Sequence, residues 1–336
     1  MIRVSNSLTS ARCLAAAALV VASSLAFHAS AQEQVPPAPA DIQAPSAPTP
    51  AASAAPVFPT PDPANFTAAS PTKDVVNAFL NASWGYNENL VWQVEGIFKT
   101  QAEGVTKVMG YVGDKTGKTK PQGMQFFVLP DGKHIITNDE IISFGEKPFA
   151  EYRAALQQKA DGPYRGTASK ELELVEFADF QCPHCKEAQP NMEKLAVDFP
   201  NARIVFQNFP LPQHPAAAGA AAYGVCVNKL GGSIAFFKFA GAVFDGQDGL
   251  ATADGATLTL NSAVTAAGLD PAKVEACSKT PEVAAQVKAS AQLAKDVSVN
   301  LTPALMVNGR QIPAGAPYDL IKQIILFQEK LDGIKQ

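Results

Sequence analysis

The sequence predicts an α/β domain with a helical insertion, preceded by a small α+β unit, and three observations lead there. Residues Glu171 to Phe177 alternate like a strand, after which Ala188, Met192, Leu195, Ala196 and Phe199 fall at helical spacing, so a helix starts near Cys182. A helix-rich block, residues 213–296, then separates this strand–helix unit from a later hairpin. Upstream, residues 70–145 read as one short helix followed by short apolar runs punctuated by turn residues.

The chain has 336 residues, long enough for two cores. Arg3 and Arg12 precede an apolar run from Cys13 to Phe27, and Ala29-Ser30-Ala31 is a small-x-small cleavage site, so residues 1–31 read as a secretory signal peptide. Its removal takes away two arginines and no acids, moving the formal charge from −4 to −6. This mildly acidic, unpatterned balance argues against a nucleic-acid partner. Residues 32–69 are rich in Pro, Ala, Ser and Thr, a composition too poor in large apolar groups to offset ordering entropy, and they read as an extended disordered linker.

Ser70-Pro71 reads as an N-cap with proline at the first helical position, opening a helix that carries Val75, Val76, Phe79 and Leu80 and ends before Gly85. Strand candidates follow at Leu90–Thr100, Val105–Val112 and Met124–Leu129, with a bulge or turn at Gly96 and Glu103-Gly104. Pro130-Asp131-Gly132 is a turn before His134-Ile135-Ile136. Trp84, Trp92, Phe98 and Phe126 read as core or interface aromatics, and His134 as a lone turn histidine. Residues 146–161 form a connecting helix with Phe149, Tyr152 and Leu156 on one face, ended by Asp161-Gly162-Pro163.

In the second domain, residues 162–336, the first strand points Leu172, Leu174 and Glu176 to one face. A strand at Arg203–Phe209 precedes the insertion, in which Ala216–Leu230, Ile234–Phe244, Leu260–Ala267, Pro271–Ser278 and Pro281–Asp296 read as helices. Ala304–Val307, Asn308-Gly309 and Arg310–Ile312 form a hairpin with a tight-turn dipeptide. Tyr318–Leu331 closes as a helix with Leu320, Ile321, Ile324, Ile325 and Leu331 toward the sheet.

Cys182 and Cys185, three apart in a first helical turn, share a face and lie within reach of a disulfide. Unpaired N–H groups and the positive helix end favour a thiolate at Cys182, and a protonated His184 adds charge beside it. Pro183 suits the first turn because its missing N–H is no loss there. Three readings compete for the pair: a catalytic disulfide, two zinc ligands completed by His184 and His214, or an inert structural bridge. Glu176 could be an ordinary surface residue at a strand end, but its alternation with Leu172 and Leu174 points it inward, where desolvation raises a carboxyl pKa. Asp179 reads as a helix cap. Of the four cysteines beyond the signal, Cys226 and Cys277 remain for a structural disulfide, which would contribute about 4 kcal/mol by constraining the unfolded chain; two buried free thiols are the alternative.

A strand, Cys-Pro-His-Cys opening a helix, and a distant Thr302-Pro303 before a strand resemble the thioredoxin superfamily, and within it the DsbA family of thiol–disulfide oxidoreductases. The resemblance covers Gly162 to Gln336. It implies a thioredoxin-like fold with inserted helices roofing the site, Cys182 as the exposed attacking thiol and Cys185 as the buried resolving one. It also implies a proton relay at Glu176, a helix kink at Pro190 and a cis-proline at Pro303. Thr302 and Pro303 would pair with an extended client segment. The implied partners are reduced or unfolded exported proteins and a membrane quinone-linked thiol oxidant, and the implied compartment is the periplasm. No bound cofactor is expected, since the disulfide is itself the redox group. Residues 70–145 resemble, by order and size, the dimerisation domain of DsbC-type isomerases, and Thr302 stands where DsbA oxidases carry valine. A dimeric isomerase is therefore an alternative, and a non-catalytic peptide-binding chaperone another.

Overall fold

The computed structural model describes residues 58–137, 140–313 and 315–335. The signal segment and most of the linker lie outside them. From Phe58 onward the chain is already placed, earlier than position 70: a short 3-10 turn, Pro63–Asn65, is capped by Asp62, and Phe66 bridges to Ile97. Backbone pairing explains this, because Ala68 N–H donates to the Ile97 carbonyl at 3.0 Å and gives an apolar-poor segment an edge to hold.

Helix α1, Lys73–Trp84, begins two residues after Ser70-Pro71, and its N-cap is Thr72, whose hydroxyl accepts the Val75 N–H. Strands β1 (Leu90–Lys99), β2 (Thr106–Asp114), β3 (Gln122–Val128), β4 (His134–Thr137) and β5 (Glu140–Ser143) form an antiparallel sheet in sequence order. The β1–β2 register shifts between Val94 and Gly96, where a bulge was expected. β5 was not anticipated, because its four residues are too few to show a period. Val76, Phe79 and Leu80 of α1 pack on Val94, Ile97, Val108, Phe126 and Ile135 of the sheet, while Trp84 and Trp92 meet edge-on at its margin.

Helix α2, Ala150–Lys159, leads to β6 (Tyr164–Gly166), β7 (Glu173–Ala178), α3 (Pro183–Asp198) and β8 (Arg203–Asn208). The insertion follows as α4 (Ala217–Asp245), α5 (Ala253–Ala266), α6 (Pro271–Ser278) and α7 (Pro281–Asp296). Strands β9 (Ala304–Val307) and β10 (Arg310–Gln311) and helix α8 (Tyr318–Asp332) complete the chain. The second sheet runs β10-β9-β7-β8-β6, with β7 and β8 parallel and the other pairs antiparallel.

β7 is central and buried on both faces rather than one. Leu172 and Leu174 pack against Leu195 of α3 and Ile324 and Ile325 of α8, while Val175 and Phe177 pack against Leu293 of α7 and Leu156 of α2. Leu331, in the last turn of α8, is 38% exposed and is absent from the core that Ile321, Ile324 and Ile325 join, although it stands seven residues from Ile324.

The range α4 holds the two helices expected at 216–244, separated at Gly232, whose φ of 74° and ψ of −178° are non-helical and which glycine adopts without steric cost. α5 begins seven residues earlier than its apolar spacing indicated, because Thr252 caps it by accepting the Gly255 N–H. Cys226 on α4 is bonded to Cys277 on α6.

Arg310 joins the two sheets' units. Buried at 4% exposure, it donates to the Ala82 carbonyl and, at 3.1 Å, to the Ser83 carbonyl at the end of α1. Its Nε holds Gln328 at 2.9 Å, and its guanidinium lies 4.2 Å from the Phe149 ring centre.

Candidate active site

The turn Asp179–Cys182, between β7 and α3, is where the sheet, the active-site helix and the insertion meet. Phe180 is driven into the insertion core, ring against ring with Phe206, Phe239 and Phe244 at 5.2, 5.7 and 5.3 Å. Burial of such a side chain contributes about 1.5–3 kcal/mol, which anchors the turn.

Asp179 does not cap α3, whose N-cap is Cys182 itself. Its buried carboxylate instead accepts the Gln181 N–H, the Leu211 N–H and the His214 Nδ1, each at 2.8 Å. It thus binds the segment entering α4, and it engages the histidine that the zinc reading required. Among the described residues no set of three or more His, Cys, Asp or Glu is arranged to hold a metal ion.

Cys182 and Cys185 are both free thiols in this structure. Cys182 is 4% exposed and Cys185 0%, so Cys182 is less open than the resemblance implied, although it alone of the two keeps any surface. Gln247 from the insertion and Thr302 from the loop before β9 close over it: the Cys182 carbonyl accepts from Gln247 and its Sγ lies 3.6 Å from the Thr302 carbonyl.

The two sulfurs have opposed ionisation. A hydrogen bond from the Cys185 thiol brings Cys182 down to about 5. Burial opposes that shift, while the Thr302 side chain and the backbone N–H groups of Cys185 and His184 add to it. Cys185 is pushed far up, by its bond to Cys182 and by burial, though the Asp179 N–H reaches its sulfur at 3.4 Å.

His184 contributes less than its position promised. Its ring is 75% exposed and bonded to Glu187 at 2.8 Å, and that carboxylate is the main reason its pKa is raised. The charge it brings toward the thiolate is therefore partly offset by a neighbouring acid.

Glu176 lies buried on β7, and burial pushes its carboxyl up to about 7 against the opposing pull of Gln189 and of Arg165. Gln189 Nε2 donates to Glu176 at 2.9 Å and to the Cys185 carbonyl at 3.1 Å, placing the acid beside the helix turn that carries Cys185. Pro190 follows inside α3, and the Thr302–Pro303 peptide is cis.

Asp179, Gln189 and Gln247 were not recognised from sequence as parts of this site. A polar residue at a turn, on a helix or in a loop carries no local signal for a partner far along the chain.

A family model described as thioredoxin matches residues 158–325. Among curated proteins, the Na(+)/H(+) antiporter NhaA 3 of Salinispora tropica is 31% identical over 154 residues, covering 44% of this chain and 22% of that protein. The Na(+)/H(+) antiporter NhaA 1 of Mycolicibacterium vanbaalenii is 31% identical over 149 residues, 43% of this chain and 23% of that one. The chain thus spans less than a quarter of the length of these relatives. Among the described residues no helix is long and apolar enough to cross a membrane.

Similar solved structures include a thioredoxin-like oxidoreductase of Silicibacter pomeroyi, at 22% identity, 53% of this chain, 98% of that chain and a TM-score of 0.45. Proteus mirabilis ScsC in a transitional conformation is 22% identical over 55% of this chain and 78% of its own, with a TM-score of 0.46. The thiol-disulfide exchange protein alpha-DsbA2 of Wolbachia pipientis is 20% identical over 55% and 96%, with a TM-score of 0.45.

Proposed function

Because the chain belongs to the thioredoxin family, we propose that it is an exported thiol–disulfide oxidoreductase that introduces or exchanges disulfides in cysteine-containing client proteins. The observation that carries this reading is the cysteine pair at the start of α3, with Cys185 fully buried and the Cys182 sulfur 3.6 Å from the Thr302 carbonyl; Cys182 is brought down to about 5 and Cys185 pushed up beside it.

In the oxidised protein a client thiolate attacks the Cys182 sulfur. The Cys182–Cys185 bond breaks, and Cys185 leaves with the electron pair and takes a proton, for which Glu176, at about 7, is the acid in reach of neutral pH. A second client thiolate then attacks the client sulfur of the mixed disulfide, and Cys182 departs as a thiolate. The client loses two electrons and the dithiol gains them. A leaving thiol of low pKa departs faster and makes the disulfide more oxidising. The cycle closes when a membrane quinone-linked thiol oxidant removes the two electrons. Thr302 and Pro303 border Cys182 and would hold an extended client segment by backbone pairing.

Oxidation of a reduced client protein tests this. The wild type is expected to drive disulfide formation and Cys182→Ala to abolish it; full activity in Cys182→Ala would overturn catalysis and leave a peptide-binding chaperone.

One feature favours a second reading, a homodimeric isomerase. Phe127, Ile136 and Ile141 are paired across β3, β4 and β5 and are exposed at 36%, 37% and 60%. This apolar row on the N-terminal sheet suits a protein contact. A dimer by light scattering together with repair of a scrambled client supports that reading; a monomer with no repair removes it.

A further inference from the structure

The insertion grips the active-site turn through two side-chain amides that reach in opposite directions. Gln247, in the 3-10 turn Gln247–Ala251 after α4, is 8% exposed. Its Nε2 donates to the Phe180 carbonyl at 2.8 Å and to the Cys182 carbonyl at 3.0 Å, across 65 residues of sequence. Gln181 answers from the turn itself: its Nε2 donates to the Leu250 carbonyl at 3.1 Å, and its Oε1 accepts the Ala216 N–H at 2.8 Å.

The two glutamines tie the same two elements together, yet only one touches the backbone of the cysteine. The Cys182 carbonyl already accepts the Cys185 and Lys186 N–H groups, at 3.1 and 3.4 Å, as an N-cap carbonyl does. Gln247 adds a third donor to it. An N–H placed there counters the negative end of a carbonyl that sits on the residue bearing the thiolate, and in a buried site such dipoles act through a low dielectric.

We propose that Gln247 is a positioning residue for disulfide exchange: through the Cys182 carbonyl, the insertion helps set how readily the Cys182 sulfur carries charge. The inference rests on the reading of Cys182 as the attacking thiol.

The experiment uses the full-length reduced protein as wild type, Gln247→Leu, Gln247→Met and Gln181→Leu. Thiolate absorbance is followed against pH, the equilibrium of the Cys182–Cys185 pair with glutathione is measured, and melting is recorded alongside. Gln247→Met keeps an unbranched side chain of similar length, so a folded variant is in hand if Gln247→Leu packs badly. Both Gln247 variants are expected to raise the Cys182 midpoint by roughly half to one pH unit, about three- to tenfold less thiolate below the midpoint. The glutathione equilibrium should move by the same factor toward the protein disulfide. Gln181→Leu is expected to lower the melting temperature and leave the midpoint where it was.

A wild-type midpoint in folded Gln247→Met overturns the inference, and so does an equal shift in Gln181→Leu, which would reduce Gln247 to a tether. The midpoint requires no client turnover. A wild type that fails to oxidise clients therefore counts against the proposed function, whereas an unmoved midpoint counts against Gln247.

Discussion

Gln189 donates from one amide nitrogen to the Glu176 carboxylate, at 2.9 Å, and to the Cys185 carbonyl, at 3.1 Å, so the buried acid is fastened to the helix that presents both thiols. Charge, proton and sulfur are thereby held on three adjoining pieces of chain, and each can be perturbed separately.

Glu176 sets a pH slope on stability. Its folded pKa of about 7 lies above the ordinary 4.5, so the folded state holds the proton more tightly than the unfolded chain. Stability from this group is present below pH 4.5 and is lost as pH rises to 7, by about 3 kcal/mol in all. Glu176→Gln removes that slope, so its stability relative to wild type should be greater at pH 8 than at pH 5 in urea unfolding. The same variant should slow formation of the Cys182 mixed disulfide, the step in which Cys185 takes its proton, and quenched-flow gels would read this.

The reduced protein responds to pH in the opposite sense. Cys182 falls from 9.0 to about 5 on folding, so its contribution is complete above pH 9 and is lost as pH falls toward 5. Relative to Cys182→Ser, reduced wild type should therefore gain several kcal/mol of stability between pH 5 and 9, the opposing Glu176 slope being common to both. Iodoacetamide labelling of the reduced form should show a midpoint near 5, and a midpoint near 9 would refute the opposed ionisation.

Thr302→Val separates ionisation from stability. The Thr302 hydroxyl is buried without a hydrogen-bond partner, yet its side chain is among the groups that lower Cys182. Below pH 5, where the Cys182 thiol is neutral and this hydroxyl has no bond to make, replacing it by a methyl group of similar shape should cost no stability. The Cys182 midpoint should meanwhile rise by about half a unit or more. Thermal melts and thiolate titration on the same sample check both halves.

Arg310→Met tests how the N-terminal unit is held. The variant leaves the Ala82 and Ser83 carbonyls at the end of α1 without their donor and removes the cation from the Phe149 ring. A cost of about 3 kcal/mol is expected. Amide exchange should accelerate in α1 and around Gly85 while β7 and β8 stay protected.

How far these arrangements were legible depended on the range of the interaction. Local patterns were read well: the turn at Asn308-Gly309, with φ of 46° and 87°, and the start of α3 at Cys-Pro-His-Cys follow from residues that dictate their own backbone. Ser70 was mistaken for a cap because Thr72, two residues on, satisfies the same preference, and only the Val75 N–H decides between them. Asp179 was misjudged for a related reason. A turn aspartate bonds the donors within its reach, and here two of the three, all at 2.8 Å, arrive from Leu211 and His214 on another segment.

By itself the sequence determined a cysteine pair at a strand-to-helix turn, an inward-pointing acid two residues before Ala178, and a second cysteine pair within the helical insertion. Periodicity and backbone preference act over a few residues, and those features need no more. Tertiary structure alone decided that Gln247 would hold the Cys182 carbonyl, that Gln189 would bind Glu176, and that Arg310 would close the end of α1. A buried donor bonds whichever acceptor the packed core leaves unsatisfied, and that choice exists only once distant segments have been brought together.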